Sequence, residues 1–563
     1  MGDVLEFLVD GTSGLAPGGV EGSAIVAGVC SKGEVGKGYI LGKRSDFKAL
    51  LGTGPLVDRV RDIIATAGQE PVLIAVPVQG QNGGYITPPR ITLSKVKATT
   101  LGVPQKNADI IAKVKTPGAV GTATLELSLD GGATFEEVTS AAAITLGDTG
   151  ATLCFPETAE LEEDAVFKVT VRVAVGQVKQ YGDEASPMLI VEELEGGVLA
   201  GAQIIVQIVK AGGLNEGTYQ YSIDGGDNYG KVRTIPFDGI VELSGYGVAL
   251  KFPEGEYAGG VTYTCDLLPP APSIVDVMSA LERPLALYDI EFVHVAGPSD
   301  SVDWAAAGAK TAELWNAHRP TFFKMEARLP YDGEDLNDFA AYLVEQRQNF
   351  AERFVQVCAQ YGEITDASGE RKLRNWCGLQ AGRVISIPVQ RATGRVKDGP
   401  ISQGALPEGW EAVQPILEEA GYLTAKKYAG LSGAYWGDSR TMAEDTSDYR
   451  YEEVLRTTFK AVRKMRIAAL KGMYDEMGDP LAPEEGVGDA YLQAQIEASL
   501  DTMVQAKPKE LAGYKVVIPP GQDRINNGTA VESTLIGIGI NREIKLYASY
   551  VYAGGKFDPR LEG

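Results

Sequence analysis

The stretch Leu125-Glu126-Leu127-Ser128-Leu129-Asp130-Gly131-Gly132, with Phe135 following, returns as Tyr219-Gln220-Tyr221-Ser222-Ile223-Asp224-Gly225-Gly226, with Tyr229 following. Downstream, Cys154-Phe155-Pro156-Glu157 is echoed by Lys251-Phe252-Pro253-Glu254, and Val166-Phe167-Lys168-Val169 by Val261-Thr262-Tyr263-Thr264. The copies lie roughly 94–97 residues apart, about the size of one β-sandwich module. Each copy alternates apolar and polar residues and then turns on Asp-Gly-Gly, a hairpin signal because glycine reaches positive φ without steric cost. Helix-and-strand sequence lies on both sides. The repeat therefore predicts two small β modules inserted into a host domain that is split in sequence.

Working outward, Ala24 to Val29 reads as a strand, Pro55 to Ala67 as a helix with Pro55 in its first turn, and Val72 to Val76 as a buried strand. The insertion is bounded by Pro88-Pro89 and Pro269-Pro270, with modules at 91–180 and 181–272. The rhythm then resumes. Ile290 to Val295 and Thr321 to Glu326 read as strands, Asp303 to Ala317 (capped by Ser301 or Asp303) and Leu336 to Asn349 as helices, and Arg353 to Cys358 and Arg383 to Ile387 as further strands. Residues 21–90 and 273–405 thus predict one discontinuous α/β core, and 406–540 a carboxy-terminal α+β domain. In that last third, Ser447-Asp448 heads a long helix from Tyr449 to Met477, stopped by Gly478 and Pro480, and a second helix spans Ala490 to Ala506. Tyr514 to Ile518 and a period-two stretch from Thr534 to Tyr552 read as strands. With the apolar stretch Val4 to Val9 near the other end, the chain has strand edges to dispose of, and such edges recruit another chain.

A net charge of −23 argues against nucleic-acid binding, which needs a basic face to neutralise phosphates. No apolar run reaches membrane-spanning length, and the start Met1-Gly2-Asp3-Val4-Leu5-Glu6 is not that of a secretory signal, so a cytosolic origin is expected. The five cysteines follow no metal or disulfide spacing. Between Val96 and Val275 there are 24 acidic and 11 basic residues, which predicts a solvated, self-repelling outer surface on the modules.

Catalytic signatures are missing. Gly38 to Lys43 has Lys37 where a phosphate loop needs its first glycine, and Arg44 where it needs Ser or Thr. Gly11-Thr12-Ser13-Gly14-Leu15 and Gly430-Leu431-Ser432-Gly433-Ala434 lack the last glycine of a nucleophile elbow. The two histidines, His294 in an apolar strand and His318 at a helix end, have no triad signature around them. The turns at Asp130 and Asp224 lack the ligand spacing of a calcium loop. No catalytic residue, metal site or cofactor is predicted. One cationic feature remains: Arg456, Lys460, Arg463 and Lys464 share a helix face by three- and four-residue spacing. A solvated face is the bland reading; in so acidic a chain the sharper one is a docking surface for an acidic partner, including another copy.

Ala434-Tyr435-Trp436-Gly437-Asp438-Ser439-Arg440-Thr441-Met442-Ala443, followed by Ser447-Asp448-Tyr449 and the basic helix, resembles the contractile tail sheath proteins of phages, most of all those of Mu-like prophages. Gly28 to Gly36, Phe47 to Gly52 and Arg319 to Phe323 resemble the same family. The likeness covers the discontinuous core and the carboxy-terminal third, not the inserted modules, and residues 383–405 match no family loop. It implies a non-enzymatic subunit that stacks helically around an inner tail tube protein, in a virion tail assembled in the bacterial host cytoplasm. Baseplate and tail terminator are further implied partners, with no nucleic acid and no membrane insertion. It also implies exchange arms at 1–20 and 541–563 that add strands to a sheet in neighbouring copies, through Val4, Leu5, Phe7 and Leu8 and through Ile544, Leu546, Tyr547, Tyr550 and Tyr552. Gly11, Gly14, Gly18 and Gly19 would be hinges, and the Arg456, Lys460, Arg463, Lys464 face would meet the tube or a neighbour. Two other classes stay open: an extracellular adhesin carrying β modules, and an α/β hydrolase.

Overall fold

A computed structural model describes residues 20–553 apart from 69–70, 82, 349, 367–368 and 477–486, together with Lys556 and Arg560. The chain divides into two compact units, one ending at Arg463 and the other beginning at Lys464.

The first unit is organised on a six-stranded sheet in the order Tyr39–Leu41, Val72–Pro77, Ser23–Gly28, Phe292–Ser299, Phe322–Ala327, Val355–Cys358. All neighbours run parallel except the antiparallel edge strand Tyr39–Leu41. Parallel strands take helices on both faces, so they must be apolar on both. Ser23–Gly28 and Phe322–Ala327 are accordingly buried at every residue. Ile25, Ala27, Val293, Val295, Phe323 and Met325 face helices Ile274–Leu287, Ser301–Asn316, Leu336–Gln348 and Trp410–Glu419. Ala24, Val26, Phe292 and Phe322 face helices Pro55–Thr66 and Cys377–Ser386 and the amino-terminal half of Glu452–Leu470. Ala24 pairs with Phe292 and Ala27 with Val295, so the two halves of the split domain meet at the middle of the sheet.

The excursion between those halves forms two sandwiches. In the first, a sheet ordered Glu136–Thr139, Thr124–Ser128, Ala108–Thr116, Val166–Val173, Gly84–Ile86 shares one apolar core with Ala143–Thr145, Ala151–Cys154, Thr99–Gly102. In the second, Lys179–Tyr181, Thr262–Leu267, Ala202–Lys210, Thr218–Ser222, Arg233–Thr234 share a core with Ile190–Glu193, Val248–Lys251, Ile240–Leu243. The module edges therefore shift by a few residues from the expected ones. Gly84 already belongs to the first sandwich and Lys179 to the second.

The repeated turn is built twice from the same bonds. Ser128 Oγ donates to Asp130 at 2.7 Å and accepts the Gly132 N–H at 2.8 Å, while Asp130 accepts the Thr134 N–H at 2.9 Å. Ser222, Asp224, Gly226 and Asn228 repeat this at 2.6, 2.9 and 3.0 Å. Gly132 and Gly226 sit at φ 101° and 97°, where a side chain would be strained. These bonds hold the Asp130 carboxyl well below the usual range, the Thr134 hydroxyl contributing most.

Three expectations are corrected. Arg383 to Ile387 is not a strand but the end of helix Cys377–Ser386. Its Gly378 and Gly382, four apart, let it lie against Pro55–Thr66, and a Cβ on Gly382 would overlap the Thr66 hydroxyl and the Ile63 carbonyl. Residues 406–463 pack into the first unit rather than opening a separate domain: Trp410 is buried and donates to the Ala425 carbonyl at 3.0 Å, and Leu423 accepts the Ala359 N–H at 3.0 Å. Asp300, not Ser301 or Asp303, caps helix Ser301–Asn316, in a capping box with Asp303.

Both Ser-to-Ala changes in the repeated turns strand a partly buried glycine N–H. S128A and S222A are each expected to cost about 1–2 kcal/mol, measured by urea unfolding of the full chain.

Candidate functional site

Lys324 stands in the middle of an apolar strand, fully buried beneath helices Cys377–Ser386 and Glu452–Leu470. Its ammonium donates to Gln356 at 2.5 Å, to Gln380 at 2.7 Å and to Glu452, and lies 5.3 Å from the Phe292 and Phe322 ring centres. Glu452 also accepts from Ser439 at 2.5 Å and Gln380 at 2.7 Å. Burial opposes its charge, but Lys324 and Arg456, with these hydrogen bonds, hold its pKa below the ordinary carboxylate value. Beside it, Arg59 grips Glu326 through two bonds of 2.6 and 2.7 Å, and Arg374 grips Asp62 at 2.9 and 2.6 Å. Lys324 and Glu326 rise from the sheet to the helices on that face, and Arg374, on the separate strand Arg371–Asn375, ties to helix Pro55–Thr66 beside them.

His294 Nε2 meets Glu326 at 2.9 Å, and Cys377 lies beside the imidazole. A thiol, an imidazole and a carboxylate in sequence suggest nucleophilic catalysis, but the details contradict it. All three are buried to within 2% of full burial, and burial raises the Cys377 pKa well above normal, whereas a nucleophilic thiol needs it lowered. The Glu326 carboxylate is already committed to Arg59. Burial pushes His294 toward neutrality, yet the contacts with Cys377 and Glu326 outweigh it and raise its pKa to about 9. Among the described residues no cluster of His, Cys, Asp and Glu is suited to a metal ion, and no helix is long and apolar enough to cross a membrane.

The basic helix face turns inward at two of its four positions, which corrects the docking expectation there. Arg456 is buried and bonds Glu291 at 2.5 and 3.3 Å; Arg463 is buried and donates to the Ile290 carbonyl at 2.9 Å and to that of Pro320. Lys460 lies 3.9 Å from Glu21, and Lys464 is half-buried. Leu455 and Phe459 on the same helix enter the core, and the arginines follow them to the buried carboxylate and carbonyls. The helix itself spans Glu452–Leu470, shorter than 449–477; Gly478 and Pro480 lie outside the described residues.

The second unit carries helix Asp489–Val504, burying Ile496, Leu500 and Met503, and the antiparallel pair Gly513–Val517 and Glu532–Ile536. Tyr514 donates to Asp501 at 2.8 Å. The expected long strand to Tyr552 stops at Ile536, and residues 537–552 carry neither strand nor helix. From Ile536 the even positions read Ile538, Ile540, Arg542, Ile544, Leu546, Ala548, Tyr550, Tyr552, one nearly apolar face for an extended chain. On this face Ile544 is 73% exposed, Leu546 89%, Tyr550 83% and Tyr552 76%, and Tyr547 on the opposite face is 91% exposed. Val4, Leu5, Phe7, Leu8 and the hinge glycines Gly11, Gly14, Gly18 and Gly19 lie outside the described residues. Lys324, Gln356, Gln380 and Glu452 were missed in the sequence; the available signal was a lysine and a glutamate inside Phe322-Phe323-Lys324-Met325-Glu326.

What these elements define is a multidomain α+β chain with tandem sandwiches set into a parallel-sheet core. The chain belongs to the DUF2586 family: the family's N-terminal domain matches residues 1–440 and its C-terminal domain residues 448–555. No curated protein matches it. Among solved structures it is similar to a sheath tail protein from Desulfitobacterium hafniense, at 11% identity and a TM-score of 0.41 over 95% of this chain and 100% of that one. A sheath tail protein from Listeria innocua gives 9% identity and 0.41 over 92% and 96%. A baseplate chain of the anti-feeding prophage gives 18% and 0.36 over 51% and 76%.

Replacing Lys324 by Met removes the cation bonded to buried Glu452, leaving it the Coulombic influence of Arg456, and is expected to cost about 3–5 kcal/mol in urea unfolding, with K324M/E452L recovering part of the loss. A second expectation concerns alkaline pH. Because the His294 pKa is raised, its pairing stabilises fully below its free value of 6.5 and is lost as pH rises through about 9. H294Q should flatten the decline of the melting temperature between roughly pH 7 and 10.

Proposed function

We propose that this chain is the sheath subunit of a contractile tail, polymerising helically around an inner tube, with the segment 537–552 of each copy completing a sheet in another. The observation that carries the reading is the exposed, period-two apolar face of that segment beside a hairpin of only two strands. No third strand joins that pair among the described residues, and an added strand would contribute main-chain hydrogen bonds while burying its apolar face. A contact between two different surfaces repeats without closing, which is how a helical array grows. The same reading gives Val4, Leu5, Phe7 and Leu8 the second exchange and Gly11 to Gly19 the hinge. It keeps the tube, baseplate and terminator as partners, without assigning the tube to Arg456 or Arg463. Contraction would draw on contacts better satisfied in the shortened state, since the sequence has no phosphate-binding loop to couple nucleotide hydrolysis.

Electron microscopy of the purified chain tests this directly: striated tubes or stacked rings are expected. I544D/L546D/Y550D should abolish them with the melting temperature unchanged, because those side chains are exposed and the ring contact of Tyr550 is with Tyr552 of the same segment. Tubes that persist in this variant would sink the exchange.

A further inference from the structure

Cys358 closes the strand Val355–Cys358, and Cys377, nineteen residues later, opens the helix Cys377–Ser386. One buried side chain holds their backbones together: the Asn375 amide donates to the Cys358 carbonyl at 2.8 Å and accepts the Cys377 N–H at 2.9 Å. The same amide donates to the Ala327 carbonyl at 3.1 Å, which anchors it to the neighbouring strand. The two thiols are in hydrogen-bond contact, and both lie in an apolar cluster with Trp376, Leu379 and Leu423. The other cysteines are placed elsewhere. Cys154 is in the first sandwich, Cys265 in the second, and the Cys30 thiol donates to the Lys32 carbonyl at 2.9 Å.

His294 completes the surroundings. Its Nε2 meets Glu326 at 2.9 Å, its Nδ1 is buried without a hydrogen-bond partner, and the ring stands beside the Cys377 thiol. A charged imidazole there favours the Cys377 thiolate, as does the place of Cys377 at the start of a ten-residue helix. Burial opposes both and prevails. The thiolate is therefore rare, and any reaction at this sulfur is slow and happens once, without turnover. What the contact changes is the second step, because an oxidised Cys377 already touches the thiol that can resolve it.

We infer that Cys358 and Cys377 form an oxidation site at which a peroxide closes a disulfide between this strand and this helix. The Cys377 thiolate attacks one peroxide oxygen and the O–O bond breaks. The departing hydroxide takes up the proton the thiol gave, leaving as water, and Cys377 becomes a sulfenic acid. The Cys358 sulfur then attacks the sulfenic sulfur, the S–O bond breaks, and the hydroxyl leaves as a second water with the Cys358 proton. Two thiols together lose two electrons and one peroxide gains them. The bond ties the last strand of the six-stranded sheet to a helix packed on that sheet. On the sheath reading it would close only after a particle leaves a reducing cytosol, stabilising the released form. The site itself does not depend on that reading.

The test treats the full chain with excess hydrogen peroxide, removes the oxidant, unfolds the product in urea with an alkylating agent, and maps the cysteines by mass spectrometry. Before oxidation all five cysteines take the label. Afterwards Cys358 and Cys377 are recovered as one cross-linked peptide that dithiothreitol separates, and the melting temperature rises by about 3 °C. C358S leaves Cys377 without a resolving thiol, so it is recovered as sulfinic acid. Both thiols still taking the label after Cys30 has been consumed overturns the inference. So does sulfinic acid at either position in the unsubstituted chain, or a cross-link from either to Cys30, Cys154 or Cys265. None of these outcomes bears on the sheath reading, which the presence or absence of tubes decides.

Discussion

Register between two strands far apart in sequence, Ala24 on Phe292 and Ala27 on Val295, is the constraint on which the rest of the first unit depends. The pairing places Ser23–Gly28 at the centre of a parallel sheet, so both faces must be covered. Covering them recruits helices from before and after the inserted modules. One face is closed by apolar packing around Trp304, Phe339 and Trp410. The other adds charge: Arg59 to Glu326, Arg374 to Asp62, Arg456 to Glu291 and Lys324 to Glu452 each join segments distant in sequence. Apolar contacts tolerate sliding by a fraction of a helical turn. A bidentate guanidinium–carboxylate pair in a dry layer does not, because misalignment leaves a buried charge uncompensated. These pairs fix the helices in position as well as contributing stability.

What was legible in the sequence follows from the periods that local structure imposes. The duplicated Ser-x-Asp-Gly-Gly turn, the alternation around it and the buried strands were readable because each depends on neighbours within a few residues. Direction was not. Arg456, Lys460, Arg463 and Lys464 do share a helix stripe, but spacing says which residues face the same way, not whether that way is solvent. Two of the arginines meet a carboxylate and carbonyls from residues 290–320, a pairing only the tertiary fold creates. Arg383 to Ile387 was misread for a related reason: a short apolar run suits a strand or a buried helix, and Gly378 and Gly382, which settle the matter, act through contact with a helix over three hundred residues earlier. The Lys324 pair was hidden by the same limit. A lysine in a strand looks like a polar-facing position until the strand proves covered on both sides.

Duplication followed by divergence makes the two sandwiches informative in a way a single module would not be. Their cores repeat the same alternation, Ala108–Thr116 matching Ala202–Lys210 residue for residue in burial. Their outer sheet faces differ in both directions: Thr99 and Ala143 stand where the second module has Ile190 and Ile240, and Leu101 stands where it has Glu192. The acidic excess is greatest on the second module, where 13 acidic side chains face 4 basic ones, and it keeps that surface solvated.

A chain that changes shape within an assembly must separate what stays rigid from what moves. Disrupting the buried ion pairs of the first unit costs several kcal/mol per uncompensated charge, comparable with the whole stability of an ordinary domain. Rearrangement is therefore disfavoured there, and on the proposed reading the sheet, its helices and the sandwich cores would travel as formed bodies. Residues 537–552 have the opposite character: their side chains are exposed and they pair with no strand among the described residues. Reorienting that segment sacrifices almost nothing inside its own molecule. On the proposed reading it is the element that can stay joined to a neighbour while the bodies it links change their relative angle, because the backbone bonds of an added strand hold whatever the bodies at its ends do.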